Sequence, residues 1–138
     1  MVDRPKLDSM LSNLNAYVAV LKGLASVSRD AFLANKDKLG NAKYHFVIAS
    51  ECCIDVGNHI IASERLRIPS DNADVFTVLV ENGFCPEALH ESLRAMARFR
   101  NRLVHLYWDV DGELLYGYLQ ERLDDFDRFA AAVSAAGR

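Results

Sequence analysis

The chain is poor in residues that interrupt helices and in residues that form disulfide or metal frameworks. Its 138 residues include three prolines, seven glycines and three cysteines. The odd cysteine count, with Cys52 and Cys53 adjacent, fits reduced cytosolic thiols better than a disulfide framework, and no zinc-ligand spacing is present. No glycine lies in a phosphate-binding loop, and no nucleotide-binding fingerprint appears. We therefore expect neither a bound metal nor a cofactor.

An excess of positive charge is also absent. The chain has 16 basic and 19 acidic residues and a net charge of −3, which argues against general attraction to nucleic acid. Any contact with RNA must then come from a local basic cluster. One exists in the second half of the chain, formed by Arg94, Arg98, Arg100 and Arg102. Arg94, Arg98 and Arg102 are our candidates for RNA binding.

Long apolar runs are missing as well. None approaches the roughly 20 residues that span a bilayer, so the sequence predicts a cytoplasmic protein without membrane contact. Hydrophobic residues make up 51% of the chain and charged residues 25%, which is typical of a folded globular protein. The length suits a single domain over residues 1–138.

Strand-like alternation is absent, and apolar residues instead recur at steps of three and four, as on one face of a helix. In the first segment these residues are Leu7, Met10, Leu14, Tyr17, Leu21 and Leu24. Helix-breaking residues separate this segment from those that follow, at Gly40, Pro69 and Gly83. The pattern predicts an all-α, up-and-down bundle of four to five helices.

The same signals give approximate helix limits. One long helix is expected from Asn41 to about Leu66, and another starts at Pro86, a residue suited to a first helical turn. The turn signal Asp109–Gly112 precedes the last helix, which carries apolar residues as far as Val133. The alanine-rich end, from Ser134 to Arg138, is expected to fray.

The helix that starts at Pro86 contains one break in its apolar pattern. Its apolar stripe is Leu89, Leu93, Met96, Leu103 and Tyr107, and the helical steps place Arg100 in the gap. A buried unpaired charge is costly, so Arg100 needs a carboxylate, a partner chain or a ligand. Glu51 and Asp55, four residues apart on the long helix, are the candidate carboxylates. The pattern predicts a core position for the ring of Tyr107, and a structural role is also expected for Trp108, Tyr116 and Tyr118.

His105 adds a group that can exchange protons near neutral pH, because an unperturbed imidazole titrates at about pH 6.5. Arg100 can hold a phosphate in a fixed geometry without losing its charge. On an unbroken helix these two residues lie about 140° apart, whereas Asn101 and His105 face the same way. A site on a two-fold axis would let two subunits bring arginine and histidine together, so an isologous homodimer is expected.

The segment Arg100-Asn101-Arg102-Leu103-Val104-His105-Leu106-Tyr107 closely resembles the R-x4-H-x-Y signature of the HepT-like toxins in the HEPN superfamily. The following residues 108–111 and the stretch from Glu51 to Ile61 are also similar to that subgroup. Helix order and length match over nearly the whole chain.

The resemblance implies a metal-independent ribonuclease that works as a homodimer, with the two motifs facing each other. It also implies a partner, an MntA-type nucleotidyltransferase antitoxin that transfers AMP onto the motif tyrosine, here Tyr107. The chain would then be the toxin of a type VII toxin–antitoxin pair, acting on RNA, with tRNA as one candidate substrate.

In the mechanism that we expect, His105 removes the proton from a ribose 2′-hydroxyl and Arg100 stabilises the charge that develops on the phosphoryl oxygens. Asn101 orients His105 or binds a phosphate oxygen, and Glu51 or Asp55 holds Arg100. Two alternatives remain open. One is a non-catalytic helical dimer that binds and regulates a nucleotidyltransferase; the other is a nucleotide-binding sensor.

Overall fold

A computed structural model describes residues 1–136 of the chain, and over this range it contains helices and no strands. The seven α-helices are α1 (Arg4–Ala25), α2 (Arg29–Leu33), α3 (Lys36–Ser63), α4 (Asn72–Glu81), α5 (His90–His105), α6 (Gly112–Glu121) and α7 (Asp124–Ala136). Short 3₁₀ turns at Glu87–Leu89 and Tyr107–Asp109 precede and follow α5. The predicted all-α class is confirmed, although the helices outnumber the four to five expected.

Helix α3 lies at the centre of the bundle and contacts all the other α-helices. It begins before the expected start at Asn41, because the Asn35 side chain accepts a hydrogen bond from the backbone N–H of Lys38 and caps the helix. Gly40 therefore lies inside the first turns of α3 and does not break the chain. A strong cap upstream outweighs the modest helix propensity cost of one exposed glycine.

The end of α5 also differs from the expectation. The helix stops at His105, where Leu106 leaves the helical conformation (φ −135°, ψ 41°), so Tyr107 lies in the 3₁₀ turn. Tyr107 is 60% exposed and Trp108 is 69% exposed, and the predictions of a core ring for Tyr107 and a structural role for Trp108 are wrong. The periodic pattern failed here because the chain leaves the helical conformation at Leu106, one residue before Tyr107.

The last predicted helix is two helices, α6 and α7, which are separated at Arg122 and Leu123. Helix α7 continues to Ala136, and the Arg4 guanidinium donates hydrogen bonds to the Ser134 carbonyl and hydroxyl oxygens. The expected fraying is therefore not seen at residues 134–136, whereas the end of that predicted tail, residues 137–138, lies outside the described residues.

Aromatic side chains fill the centre of the bundle between α3, α4, α5 and α7. Phe46 makes edge-to-face contact with Phe99, and Phe76 with Phe129.

By length and composition alone α3 could cross a membrane, since an 18-residue window has a mean hydropathy of 1.2. This finding corrects the expectation that no apolar run is long enough to span a bilayer. Half of that window is buried inside the bundle, so its apolar residues also serve the core.

Candidate active site

Two motif side chains project from the C-terminal end of α5. His105 is the last helical residue and is exposed, and Tyr107 follows it in the 3₁₀ turn. The Tyr107 carbonyl oxygen accepts a hydrogen bond of 3.0 Å from Lys43 Nζ on α3, which anchors the turn to the bundle. The Tyr107 and Trp108 rings contact edge to face, with centroids 5.6 Å apart. A base and a tyrosine hydroxyl are thus presented together to solvent.

Arg100 is held on a different side of α5, against α3. Its Nη2 donates to Glu51 Oε1 over 2.8 Å, and its Nη1 donates to Asn101 Oδ1 over 3.0 Å. Only 19% of the Arg100 side chain is exposed, and its Nε is buried with no hydrogen-bond partner among residues 1–136. Of the two carboxylates that were candidates for this arginine, Glu51 makes the ion pair.

Asp55 lies one helical turn beyond Glu51 and is exposed to solvent. Partial burial and the negative charge of Glu51 raise the pKa of the Asp55 carboxyl, while the positive charge of Arg100 acts in the opposite direction. Asp55 therefore affects Arg100 through its charge and makes no direct ion pair with it. In the described part of the chain, no three side chains of the types His, Cys, Asp or Glu converge as a metal site would require.

The geometry of α5 separates the two predicted catalytic residues. The helix is continuous from His90 to His105, so Arg100 and His105 lie about 140° apart around its axis and about 7.5 Å apart along it. Asn101 contacts Arg100, although it shares a helix face with His105. One chain alone does not place the arginine and the histidine on one surface.

The three arginines predicted to bind RNA each have an intramolecular partner. Arg94 Nη1 donates to Thr77 Oγ1 on α4 over 2.8 Å and is half-buried. Arg98 pairs with Glu91 over 3.0 Å, and Arg102 pairs with Asp109 over 3.0 Å, both at the surface. Arg98 and Arg102 are thus accessible, whereas Arg94 helps to join α4 to α5.

The chain matches the family described as ribonuclease HepT-like over residues 14–133. This chain belongs to the ribonuclease HepT-like family. The membership confirms the resemblance seen in the motif, and it confirms the enzyme class at the level of the family.

Two curated relatives bear names of the same kind. The mRNA nuclease HepT of Shewanella oneidensis is 34% identical over 85 residues, which are 62% of this chain and 64% of that protein. The match thus spans just under two thirds of this relative. The tRNA nuclease HepT of Aphanizomenon flos-aquae is 19% identical over 129 residues, covering 94% of this chain and 88% of that protein.

The fold is that of a solved HEPN toxin. The structure of the tri-AMPylated Shewanella oneidensis HEPN toxin in complex with its MNT antitoxin superposes with a TM-score of 0.86. Sequence identity is 24%, and the match covers 98% of this chain and 99% of that one. The likeness establishes the HEPN fold for this HepT-like chain.

Sequence reasoning missed some polar contacts of the HepT-like bundle. His90 Nε2 lies 2.8 Å from Thr77 Oγ1, the hydroxyl that also accepts from Arg94. Thr77 shows no pattern that singles it out, because the contact depends on how α4 packs against α5. Lys43 could not be linked to Tyr107 either, since 64 residues separate them.

The cysteines take no part in these contacts. Burial raises the pKa of the Cys52 thiol to about 11 and that of Cys85 to about 12, and it also raises the pKa of Cys53. Thiols with such raised pKa values stay protonated near neutral pH and are poor nucleophiles. The three cysteines are free thiols, as expected from their odd number.

Proposed function

We propose that this chain is a metal-independent endoribonuclease, the toxin of a type VII toxin–antitoxin pair, acting in the cytoplasm as one domain over residues 1–138. The observation that supports it most directly is the joint presentation of His105 and Tyr107 to solvent at the end of α5. RNA is the substrate class, and tRNA is one candidate.

In the proposed reaction His105 accepts the proton of a ribose 2′-hydroxyl, and the 2′-oxygen attacks the adjacent phosphorus. The bond from phosphorus to the 5′-oxygen breaks, and that oxygen takes a proton from water. Arg100 donates hydrogen bonds to the phosphoryl oxygens as negative charge develops on them. The first product carries a 2′,3′-cyclic phosphate. Asn101 and Glu51 position Arg100, and Asp55 tunes the charge around it.

A homodimer completes the proposed site. Because Arg100 and His105 point to different sides of α5, a second copy is needed to bring an arginine to a histidine across a two-fold axis. Exposed apolar side chains surround His105 and support a protein contact there, namely Val104, Leu106, Tyr107 and Trp108.

Tyr107 is the proposed point of regulation. An MntA-type nucleotidyltransferase would attach AMP to its hydroxyl, which is accessible because the ring lies outside the core. The attached nucleotide adds bulk and a negative phosphodiester two residues from His105, so it would block and repel an RNA backbone. The exposure of Tyr107 supports this part of the proposal.

The decisive experiment measures cleavage of total cellular RNA and of tRNA by the purified protein in EDTA. His105→Ala should lower the rate by about a hundredfold or more, since general base catalysis contributes that much. His45→Ala is the matched control, because His45 lies on α3 outside the motif and should leave the rate unchanged. Cleavage by His105→Ala at the wild-type rate would contradict the assignment.

A second candidate is a non-catalytic helical dimer that binds and regulates a nucleotidyltransferase. The ion pair of Arg100 with Glu51 favours it, because the arginine already has a carboxylate within its own chain. AMP transfer onto Tyr107 by the partner, without RNA cleavage by the unmodified folded protein, would select this candidate.

A further inference from the structure

An open groove runs between α5 and α6 beside the candidate active site. Its volume is about 200 Å³, and its walls are formed by Ala95, Arg98, Phe99, Arg102 and Tyr118. The floor is aromatic and the rim carries two arginines. Such a combination of cationic and aromatic side chains is the usual composition of a surface that binds single-stranded nucleic acid.

The aromatic floor is a stack of two rings, with an arginine next to it. The Phe99 and Tyr118 rings are parallel within 5°, with centroids 3.7 Å apart. Arg122 covers the Tyr118 ring, with its Cζ 5.9 Å from the ring centroid. Arg122 is exposed to solvent and lies beside the groove, next to Tyr118. An arginine next to an aromatic ring offers a surface on which a base can stack.

The rim arginines are neutralised only by weak pairs. Arg98 with Glu91 and Arg102 with Asp109 are ion pairs between side chains that are each more than 40% exposed, and pairs of this kind contribute little stability. A phosphate can therefore replace either carboxylate at low cost. Partial burial raises the pKa of the Asp125 carboxyl, and the charge of Arg122 acts in the opposite direction, although no ion pair joins the two side chains among residues 1–136.

The helix face that carries the two rim arginines also carries the proposed base. Arg98, Arg102 and His105 are separated by steps of four and three, so they share one face of α5. From Arg98 to His105 the helix rises about 10 Å. A strand that follows this face therefore passes from the two arginines to the imidazole. Arg94, although near in sequence, is turned toward Thr77.

We propose that this groove binds the single-stranded RNA substrate next to the cleavage point, with Arg98 and Arg102 on phosphates and Arg122 stacked on a base. The inference rests on the proposed ribonuclease function and adds Arg122 and the Phe99–Tyr118 stack to its substrate-binding surface. Tyr118 thus has two roles, because its ring is half-buried in the bundle and also supports Arg122.

The test measures binding separately from cleavage. The probe is a fluorescein-labelled 2′-O-methyl RNA of about ten nucleotides, which lacks the attacking hydroxyl, and its anisotropy is followed with the wild-type protein at several salt concentrations. Arg98→Gln should raise Kd about fivefold and reduce the slope of log Kd against log salt by about 0.7, the value for one phosphate on a single strand. Arg128→Gln, an exposed arginine on α7, is the control and should bind as wild type.

The role proposed for Arg122 is tested by comparing binding to RNA with binding to a backbone that has no bases. Arg122→Lys keeps the charge and loses the plane, so it should weaken binding to RNA by about threefold but change binding to an abasic backbone of the same length by much less. Thermal unfolding followed by circular dichroism verifies that each variant is folded.

The outcomes separate the two proposals. If the Arg98→Gln and Arg122→Lys proteins bind the probe as tightly as Arg128→Gln does, and ordinary RNA is still cut, the groove proposal is wrong. The ribonuclease proposal then stands. Groove-dependent binding without cleavage of ordinary RNA would support the groove and count against the ribonuclease. Failure of the wild-type protein to bind the probe at all would overturn the groove.

Discussion

At the scale of single residues, Glu51 is the clearest example of a site residue to which no reaction step is assigned. Its carboxylate is the ionic partner of the half-buried Arg100, and the remaining hydrogen bond of the guanidinium goes to Asn101. An arginine that loses its ionic partner samples other rotamers, and misplacement of a catalytic group lowers the rate of the reaction. In the proposed reaction Glu51 therefore acts through Arg100, as a positioning residue.

We predict that Glu51→Gln lowers kcat between about ten- and a hundredfold with little change in KM, because the charge at Arg100 remains while its orientation is lost. The free energy of unfolding should change by about 1 kcal/mol or less, since Glu51 is substantially exposed. Steady-state cleavage kinetics and urea unfolding measure the two effects. Glu51→Asp should recover part of kcat.

The matched control for Glu51 is Glu81→Gln, which removes an exposed carboxylate at the end of α4 from its pair with Arg67. Its kcat should equal that of the wild type. Equal losses of kcat in both variants would mean that the effect of Glu51 is general and not directed through Arg100.

The exposed motif residue Tyr107 leads to a second prediction at the scale of single residues. Tyr107→Phe should keep ribonuclease activity within about twofold, since its hydroxyl is assigned no step in cleavage, and should resist silencing by the cognate nucleotidyltransferase with ATP. Intact-protein mass spectrometry and RNA cleavage measure modification and activity together. Tyr44→Phe is the control, because Tyr44 is also 60% exposed, and it should be modified and silenced normally. If the partner still silences Tyr107→Phe, complex formation alone is inhibitory.

At the scale of helices, the crossing of α3 and α4 depends on the absence of one side chain. A Cβ on Gly57 would overlap with Cγ1 of Val75 and would lie 3.3 Å from Cδ1 of Leu79. Both neighbours are fully buried, so they have little room to move. The glycine thus allows two helix backbones to approach closely.

Gly57→Ala should lower the free energy of unfolding by about 1–3 kcal/mol, the usual cost of overpacking a core. Gly40→Ala is its counterpart in the same helix, because a Cβ there meets nothing within 4 Å. That substitution should stabilise the protein by about 0.5–1 kcal/mol through helix propensity. Urea unfolding of both variants gives the comparison, and a Gly57→Ala protein as stable as the wild type would contradict the close crossing.

Helix limits illustrate what periodicity can predict and what it cannot. The first helix and most of α3 follow from apolar steps of three and four, because both helices face one continuous core. Gly40 predicts a break but lies inside α3, because a glycine within a pattern does not show whether a cap precedes it. Tyr107 continued the apolar spacing of α5, yet the backbone turned at Leu106. Spacing describes a residue's position only while the helix continues.

At the scale of the whole molecule, the sequence predicted the members of the candidate site better than their arrangement. The pairing of Arg100 with Glu51 followed from one charged residue in an apolar stripe and from carboxylates on another helix. The stack of Phe99 and Tyr118, with Arg122 next to it, was not foreseen, because it joins α5 to residues around α6 that have no shared motif. Contacts of this kind are set by tertiary packing, which a single sequence does not display.

The separation of Arg100 and His105 around α5 leads to a prediction about the assembly. A cleft shared by two copies can take its arginine from one subunit and its histidine from the other. Arg100→Gln and His105→Ala homodimers should each be inactive, whereas a heterodimer that contains one subunit of each variant retains an intact arginine–histidine pair.

Co-expression with two different affinity tags, followed by sequential purification, isolates the heterodimer. It should cleave RNA at roughly half the wild-type rate, since one of two equivalent pairs survives. A folded heterodimer as inactive as the two parents would mean that arginine and histidine act within one chain, and the site would then require a rearrangement of the end of α5.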